Sequence, residues 1–482
     1  MTEIDGSLAK KGSTAGVMQH AELRTERTAS EPPGTPLASA AFWALAIGVT
    51  SALLILRRPD AVFHAQFWAE DGVVWFADAY NHGALRALVL ARDGYLQTLP
   101  RLACAIALWV PLVYAPLITN LIALLIEALP PLFLLSSRMR NLGPLWLRCG
   151  LALLLLFVPD ASEVHAAITD AEFQMAVLAC LVIIAEVPRS RAGRIFDVVV
   201  LLLFALTGPF CVLLFPVALV RTIAQLPHPF ALLWRKEPAL SSPKSGTTPA
   251  SESEKRKSSQ PESHWPWVQL SVLAAGGLVQ GLTVLTTAGA RLNTTLGASV
   301  NKFVQIFAGQ VVLPVFLGRN PFDPLTGGPA RIIMASGLTI AALFAIAYGL
   351  AKGSLELRCF VLFALLVLTA ALAYPTVEPV RYQWAPFLVP GQGLRYWYIP
   401  KLALMATLVW LLGRRRPVAI RLLAGVLTCV MGVALVTHWR YPALPDFRFD
   451  GYVRTFEALP SGATGQFRLN PGGPWIMVLV KR

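Results

Sequence analysis

Charge is scarce in this chain. Only 14% of its 482 residues are Asp, Glu, Lys or Arg, against about 25% in an average soluble domain, so there is too little polar surface to clothe a water-soluble globule. Cysteine is sparse as well: Cys104, Cys149, Cys180, Cys211, Cys359 and Cys429 each sit inside or at the edge of an apolar segment. None is spaced as a metal ligand, which argues against a metal framework or a disulfide framework and leaves small hydrophobes in a helix bundle. Among the histidines of the expected outer segments, His64, His82 and His165, no two stand at metal-ligand spacing. There is no Walker A sequence, no Rossmann fingerprint and no nucleophile-elbow serine, which argues against a nucleotide-driven pump.

Apolar residues are abundant, at 55% of the chain, and they come in long runs: 38–56, 266–288, 331–351, 358–374 and 418–438. About 20 apolar residues in a helix cross a hydrocarbon core of roughly 30 Å, so the expected fold is an all-α polytopic membrane protein. The first run starts near residue 37, after a polar tail, and is too long for the core of a signal peptide, so it is expected as a retained span. The formal charge of +14 suggests nucleic acid only until its distribution is read. The basic residues fall between apolar runs, around Arg138–Arg148, Arg189–Arg194, Arg221–Lys257, Lys352–Arg358 and Arg414–Arg421, as the excess of Lys and Arg in cytoplasmic loops requires. No nucleic-acid partner is expected.

Placing those clusters in the cytoplasm organises the rest. Residues 159–174 carry Asp160, Glu163, Asp170 and Glu172 without Lys or Arg and face outward. Residues 195–221 break at Thr207-Gly208-Pro209 into a hairpin. The pieces 96–111, which holds Arg101, and 303–317, which holds Gln305 and Gln310, are short and partly polar, and are expected to lie at the outer interface. About eleven spans result, with the amino terminus inside. The domains follow: 1–36 a disordered cytoplasmic tail; 37–236 an amino-terminal transmembrane module with a first outer loop at 57–95; 237–264 a Ser/Pro/Lys-rich cytoplasmic linker; 265–438 a second transmembrane module; and 439–482 an outer appendage with a little β-structure.

The first outer loop is the most informative part. Glu70 and Asp71 follow an aromatic pair, Phe67 and Trp68, and precede Gly72; residues 73–80 and 84–91 read as two short amphipathic helices broken at Asn81-His82-Gly83. A carboxylate pair near the membrane plane can hold a cation or act as general base on a hydroxyl. The plainer reading is a helix amino-terminal cap, and spacing alone does not separate the two.

One span followed by a long outer loop with an adjacent acidic pair resembles the GT-C superfamily of membrane glycosyltransferases. AEDGVVWFADAYNHG, DGYLQTLPRLA, TGPF at 207–210, GLRYWYIP at 393–400 and the terminal LNPGGPWIMVL are similar to uncharacterised bacterial members. The second outer loop reads Ile168-Thr169-Asp170-Ala171-Glu172 where many members carry Asn, so no role is carried over to it. The resemblance implies a GT-C-like bundle and a glycosyltransferase that takes sugar from a polyprenyl-phosphate donor, at the outer face of the bacterial inner membrane. The acceptor would be an envelope glycan, lipid or protein. Asp71 would act as base, with Glu70 orienting it or helping to bind a cation; whether a divalent cation joins them the residues leave open, and no other cofactor is indicated. A phosphate donor needs cations, and Arg offers a planar fork for phosphate oxygens. Arg101, Arg381 and Arg395 are the candidates on outward segments, with Tyr382 and Tyr396 beside them and Asp93, which opens DGYLQTLP, counted among the substrate-binding residues. Trp384 and Trp397 suit an interfacial aromatic belt. The rival is a polytopic transporter or lipid flippase of envelope precursors, which would also show broken helices and intramembrane charge.

Overall fold

The computed structural model describes residues 36–92, 94–225, 264–286, 295–318, 328–375 and 382–482. The expected tail at 1–36 and linker at 237–264 lie almost wholly outside the described residues, as do Asp93 and Arg381. The chain divides into two compact units between Val49 and Thr50. The first contains the amino-terminal part of helix Pro36–Arg57; the packing below is that of the second, Thr50–Arg482.

The protein is mostly helical, and seven of its described helices are long and apolar enough to cross a membrane: Ser39–Arg57, Leu112–Leu135, Trp265–Thr286, Val300–Leu317, Pro329–Lys352, Leu355–Ala373 and Val418–Thr437. This is a membrane protein by its helices. The expected eleven spans also counted shorter pieces, among which Leu145–Leu156, Ala171–Ile184 and Phe210–Ile223 are present as short apolar helices; Thr98–Ala107, in the piece expected at the interface and left out of that count, is another. The break at 207–209 ends helix Arg191–Ala205 and starts helix Phe210–Ile223.

One expectation meets a different arrangement. Residues 303–317, expected flat at an interface because of two glutamines, form part of a continuous 18-residue helical stretch, Val300–Leu317, with a π-helical middle at Phe307–Val312. Gln310 is buried, and its Nε2 donates to the carbonyls of Phe387 and Val389, both at 2.8 Å. A polar side chain in an apolar run need not seek water when the protein supplies its partner.

Helix Ala171–Ile184 is the axis of the bundle: all 14 of its residues are buried, as a helix apolar on every side should be. It packs against helices Ala115–Leu135, Arg191–Ala205, Phe210–Ile223 and, less extensively, Leu355–Ala373 and Leu394–Leu411. At its carboxyl end the Ile184 carbonyl accepts from Asn141 Nδ2 (2.8 Å) and Arg221 Nη2 (3.4 Å). At its amino end lies the acidic second loop.

The carboxyl-terminal region folds as helix Phe449–Glu457 and a two-stranded antiparallel sheet, β1 (Thr464–Arg468) and β2 (Ile476–Val480), in register from Thr464 opposite Val480 to Arg468 opposite Ile476. Helical spacing puts Phe449, Val453 and Phe456 on one buried face, and strand alternation buries Phe467, Met477 and Leu479. These six side chains join the main core.

Candidate functional site

The first loop begins under constraint. Arg57 and Arg58, on a segment expected to face outward, are 2% and 4% exposed. Their guanidinium groups donate to main-chain carbonyls of the second loop and its flank: Arg57 to Leu156 and Val158, Arg58 to Ser162 and His165. Five N–H donors on a rigid fork suit this cross-linking of two loops. Arg57 also donates to the Tyr441 hydroxyl, and His165 is bonded through Nδ1 to Glu127 at 3.0 Å.

Ala69 turns the chain with φ +29°, and a π-helix, Asp71–Phe76, runs into helix Ala77–His82. Gly83, at φ +89°, ends it, and Ala84–Ala87 forms a short second helix. Asp71 opens the π-helix with no exposure at all. Its Oδ1 accepts from the Thr169 amide (2.8 Å) and the Thr169 hydroxyl (2.5 Å), and its Oδ2 accepts from the Ile168 amide (3.1 Å). The Thr169 hydroxyl in turn accepts from Trp75 Nε1 at 2.7 Å. Burial raises the Asp71 carboxyl, as does the charge of Glu70, while the three bonds from Thr169 and Ile168 pull it down; the balance lies at about 7.

Glu70, half-buried beside it, belongs to a cluster with Glu163, Asp170 and Glu172 from the second loop and Arg395 from the first turn of helix Leu394–Leu411. Arg395 Nη1 lies 2.8 Å from Glu163 Oε1 and 3.8 Å from Asp170 Oδ1, and its amide donates to Glu163 Oε2 at 3.1 Å. Glu172 accepts from Gln97 Nε2 at 3.1 Å. Gly208 makes room for it: a Cβ there, at φ +74°, would stand 2.1 Å from Glu172 Oε2. Asp170 is 1% exposed and its Oδ2 has no hydrogen-bond partner. Burial drives the Asp170 carboxyl well above its ordinary value, against the pull of Arg395 and with the push of Glu163, Glu70 and Glu172.

The motifs quoted from the sequence meet here. The 207–209 break pairs with residues 96–99, through the Gly208 amide to the Leu96 carbonyl (2.9 Å) and the Leu99 amide to Thr207 Oγ1 (3.1 Å). GLRYWYIP supplies Arg395 and also Tyr398, whose hydroxyl donates to Gln174 Oε1 at 2.6 Å. Arg101 lies elsewhere: 1% exposed, it donates to Asp78 Oδ2 at 3.1 Å and sits 4.9 Å from the Trp75 ring. Tyr396 packs among Phe173, Phe387 and Trp397. Tyr382 lies under Lys302, with Nζ 5.4 Å from the ring centre. Trp384 and Trp397 are no surface belt, being 8% and 0% exposed with their indole N–H groups on the carbonyls of Leu372 and Gln392.

The second-loop residues Ile168, Thr169 and Asp170 are the ones sequence reasoning passed over. Their signal was the run of carboxylates without a cation, which placed the loop but not its partner. As to a divalent cation, no three His, Cys, Asp or Glu side chains among the described residues converge as ligands, and both oxygens of Asp71 are engaged. The described carboxylates, as placed, do not make a ready cation cage.

No family model matches the chain, and no curated protein matches it. Among solved structures, it is similar to the oligosaccharyltransferase of Archaeoglobus fulgidus crystallised with a disulfide-tethered acceptor peptide containing an NVT sequon. That likeness has a TM-score of 0.40 at 10% identity and covers 87% of this chain. The chain spans 57% of the length of that structure.

Proposed function

We propose that the protein is a GT-C-like glycosyltransferase that moves a sugar from a polyprenyl-phosphate donor to an envelope glycan, lipid or protein acceptor, at the outer face of the bacterial inner membrane. The observation that carries this reading is the convergence of the acidic pair, the second-loop carboxylates and Arg395 at one end of the bundle, with one buried carboxylate oxygen left without a partner. Basic residues gather at the opposite helix ends, as at Arg138 and Arg221, which supports an outward-facing site under the charge rule.

In this reading a carboxylate of the cluster removes the acceptor hydroxyl proton. The oxygen forms a bond to the anomeric carbon from the side opposite the phosphate, the carbon–phosphate oxygen bond breaks, and the lipid phosphate leaves as an anion, with inversion. Asp71 was the expected base. Both its oxygens are taken by three donors, which favours a role as the anchor between loops, and favours the half-buried Glu70 and Asp170, whose Oδ2 accepts no bond, as the groups that meet the acceptor. Arg395, part-exposed and in contact with Glu163, Asp170 and the Tyr396 ring, suits the leaving phosphate. Arg101 is less suited, since Asp78 already neutralises it.

The test is transfer of labelled sugar from a synthetic polyprenyl-phosphate sugar in nanodiscs, paired with composition analysis of envelope polysaccharides after loss of the gene. Transport has one observation in its favour, the buried Glu127 of helix Ala115–Leu135 bonded to His165. A protein that flips the donor lipid without cleaving it would establish that alternative.

A further inference from the structure

We propose that the carboxyl-terminal tail sets the position of the acidic pair, with Leu469 and Asn470 as positioning residues for Glu70 and Asp71; this rests on the role proposed above for that pair. The backbone makes the first contact. The Ala69 amide donates to the Asn470 carbonyl at 2.6 Å, and Trp68 and Asn470 form an isolated parallel bridge. Ala69 is the residue just before the pair, and it is a non-glycine residue at φ +29°. Left-handed backbone of this kind persists only where its surroundings over-determine it. Here the tail fixes the amide of Ala69, and the turn bond from the Asp71 amide to the Trp68 carbonyl (2.7 Å) fixes the far side.

Packing makes the second contact. A Cβ on Gly72 would stand 2.3 Å from Leu469 Cδ1 and 3.0 Å from Phe67 Cβ. The chain beside Asp71 therefore lies directly on the tail, with no space for a methyl group.

The third contact lies one helix further on. Asn81 donates through Nδ2 to the Val478 carbonyl (2.9 Å) and accepts through Oδ1 from the Val480 amide (3.0 Å). The amide side chain thereby occupies the pairing groups of β2 as a neighbouring strand would. Arg482 donates to the Tyr80 carbonyl, and Phe67 and Tyr80 of the loop meet Phe449 and Phe456 of the tail. The second loop grips the Asp71 carboxylate while the tail grips the backbone of Ala69 just before the pair and the side chain of Asn81 beyond it, so the segment that carries the pair is held by parts of the chain almost 100 and 400 residues away.

The experiment uses the full chain in nanodiscs with four variants: Gly72→Ala, Leu469→Ala, the two combined, and Asn81→Ala. Two quantities are read, amide hydrogen exchange across residues 66–82 and kcat and KM with a synthetic polyprenyl-phosphate sugar. A misplacement of about 1 Å can cost roughly 10²-fold in rate. Gly72→Ala should therefore lower kcat about tenfold or more at near-constant KM, and should speed exchange at Ala69. Adding Leu469→Ala, which removes the clashing Cδ1, should return kcat to within about threefold of wild type at unchanged KM. Asn81→Ala, on an exposed edge, should speed exchange with a smaller loss. Unchanged exchange in Gly72→Ala and Asn81→Ala, or a double variant worse than either single one, overturns the proposal, as does faster exchange with unchanged kcat. Should Gly72→Ala fail to fold, Asn81→Ala decides alone. If the wild type transfers no sugar, the functional reading fails, and exchange alone judges the tail.

Discussion

The two ends of the helix bundle treat buried charge in opposite ways. At one end Asp197, with no exposure, takes a two-pronged contact from Arg138 (2.5 and 2.9 Å) and further bonds from Trp265 Nε1 (3.0 Å) and Gln269 Nε2 (3.2 Å). Each carboxylate oxygen is satisfied and the charges cancel. At the other end Glu70, Glu163, Asp170 and Glu172 share Arg395, and Asp170 Oδ2 is left orphaned. The pair at Asp197 has both carboxylate oxygens bonded, whereas among the described residues the acidic cluster leaves the buried Asp170 Oδ2 without a bond, which is costly in a low-dielectric interior. The contrast sets a fully bonded ion pair against the cluster proposed above as the site of transfer.

The largest expected effect falls on turnover. General-base catalysis contributes typically about 10²–10⁴-fold, so whichever of Glu70→Gln and Asp170→Asn removes the base should lose that much kcat while the protein still inserts and folds. Asp71→Asn should also be crippled, because an amide nitrogen would face an amide donor of Ile168 or Thr169. If all three turn over normally, the acidic end has no catalytic role and the comparison fails.

Next comes stability at the opposite end. Removing one partner of a buried ion pair costs about 3–5 kcal/mol, so Arg138→Ala should sharply lower the melting temperature and leave the activity of the folded fraction intact. A variant that melts normally but has lost transfer would place function at the wrong end of the bundle.

Arg395 sharpens the distinction within the cluster. Arg→Lys keeps charge and loses the fork, so Arg395→Lys should recover donor affinity only in part and Arg395→Ala very little; truncating one member of a desolvated pair costs roughly 2–5 kcal/mol. Wild-type donor binding in both would reassign Arg395 to holding Glu163 alone.

The smallest effect is a shift in pH. Asp71 lies at about 7 in the folded protein, against about 3.9 for an unperturbed carboxyl. Between those values the folded state holds a proton that the unfolded chain has released, so this group's contribution to stability falls as pH rises through that window and is constant above it. The Thr169 hydroxyl lowers the value. Thr169→Val should therefore move upward, from about 7, the pH at which the stability of the folded protein stops falling, and a limit that moves down or stays would contradict the Thr169–Asp71 bond as the cause.

Local pattern made much of this legible. The apolar runs marked the long helices, Thr207-Gly208-Pro209 marked the break, and alternation in the last residues marked β2. The acidic pair stood out because carboxylates beside aromatic residues near a membrane are costly. What pattern could not supply was the partner of each polar side chain. Gln310 looked interfacial until Phe387 and Val389, some 77 and 79 residues away, satisfied it. Arg101 looked free for phosphate until Asp78 closed on it. Thr169 carries no signal of its own, since a threonine is ordinary in a loop and its bond to Asp71 spans 98 positions. Periodicity reports which face a residue occupies; it is silent on what the other wall of the site contributes.

The most direct test of the central claim is a single-turnover assay in nanodiscs, following labelled sugar from a polyprenyl-phosphate donor with wild type, Glu70→Gln, Asp170→Asn and Arg138→Ala side by side. The account expects release of polyprenyl phosphate and sugar transfer by wild type and by folded Arg138→Ala, with transfer lost about 10²-fold or more in at least one carboxylate variant that still binds donor. Donor lipid that crosses the bilayer uncleaved in wild type, or full transfer by both carboxylate variants, would contradict it.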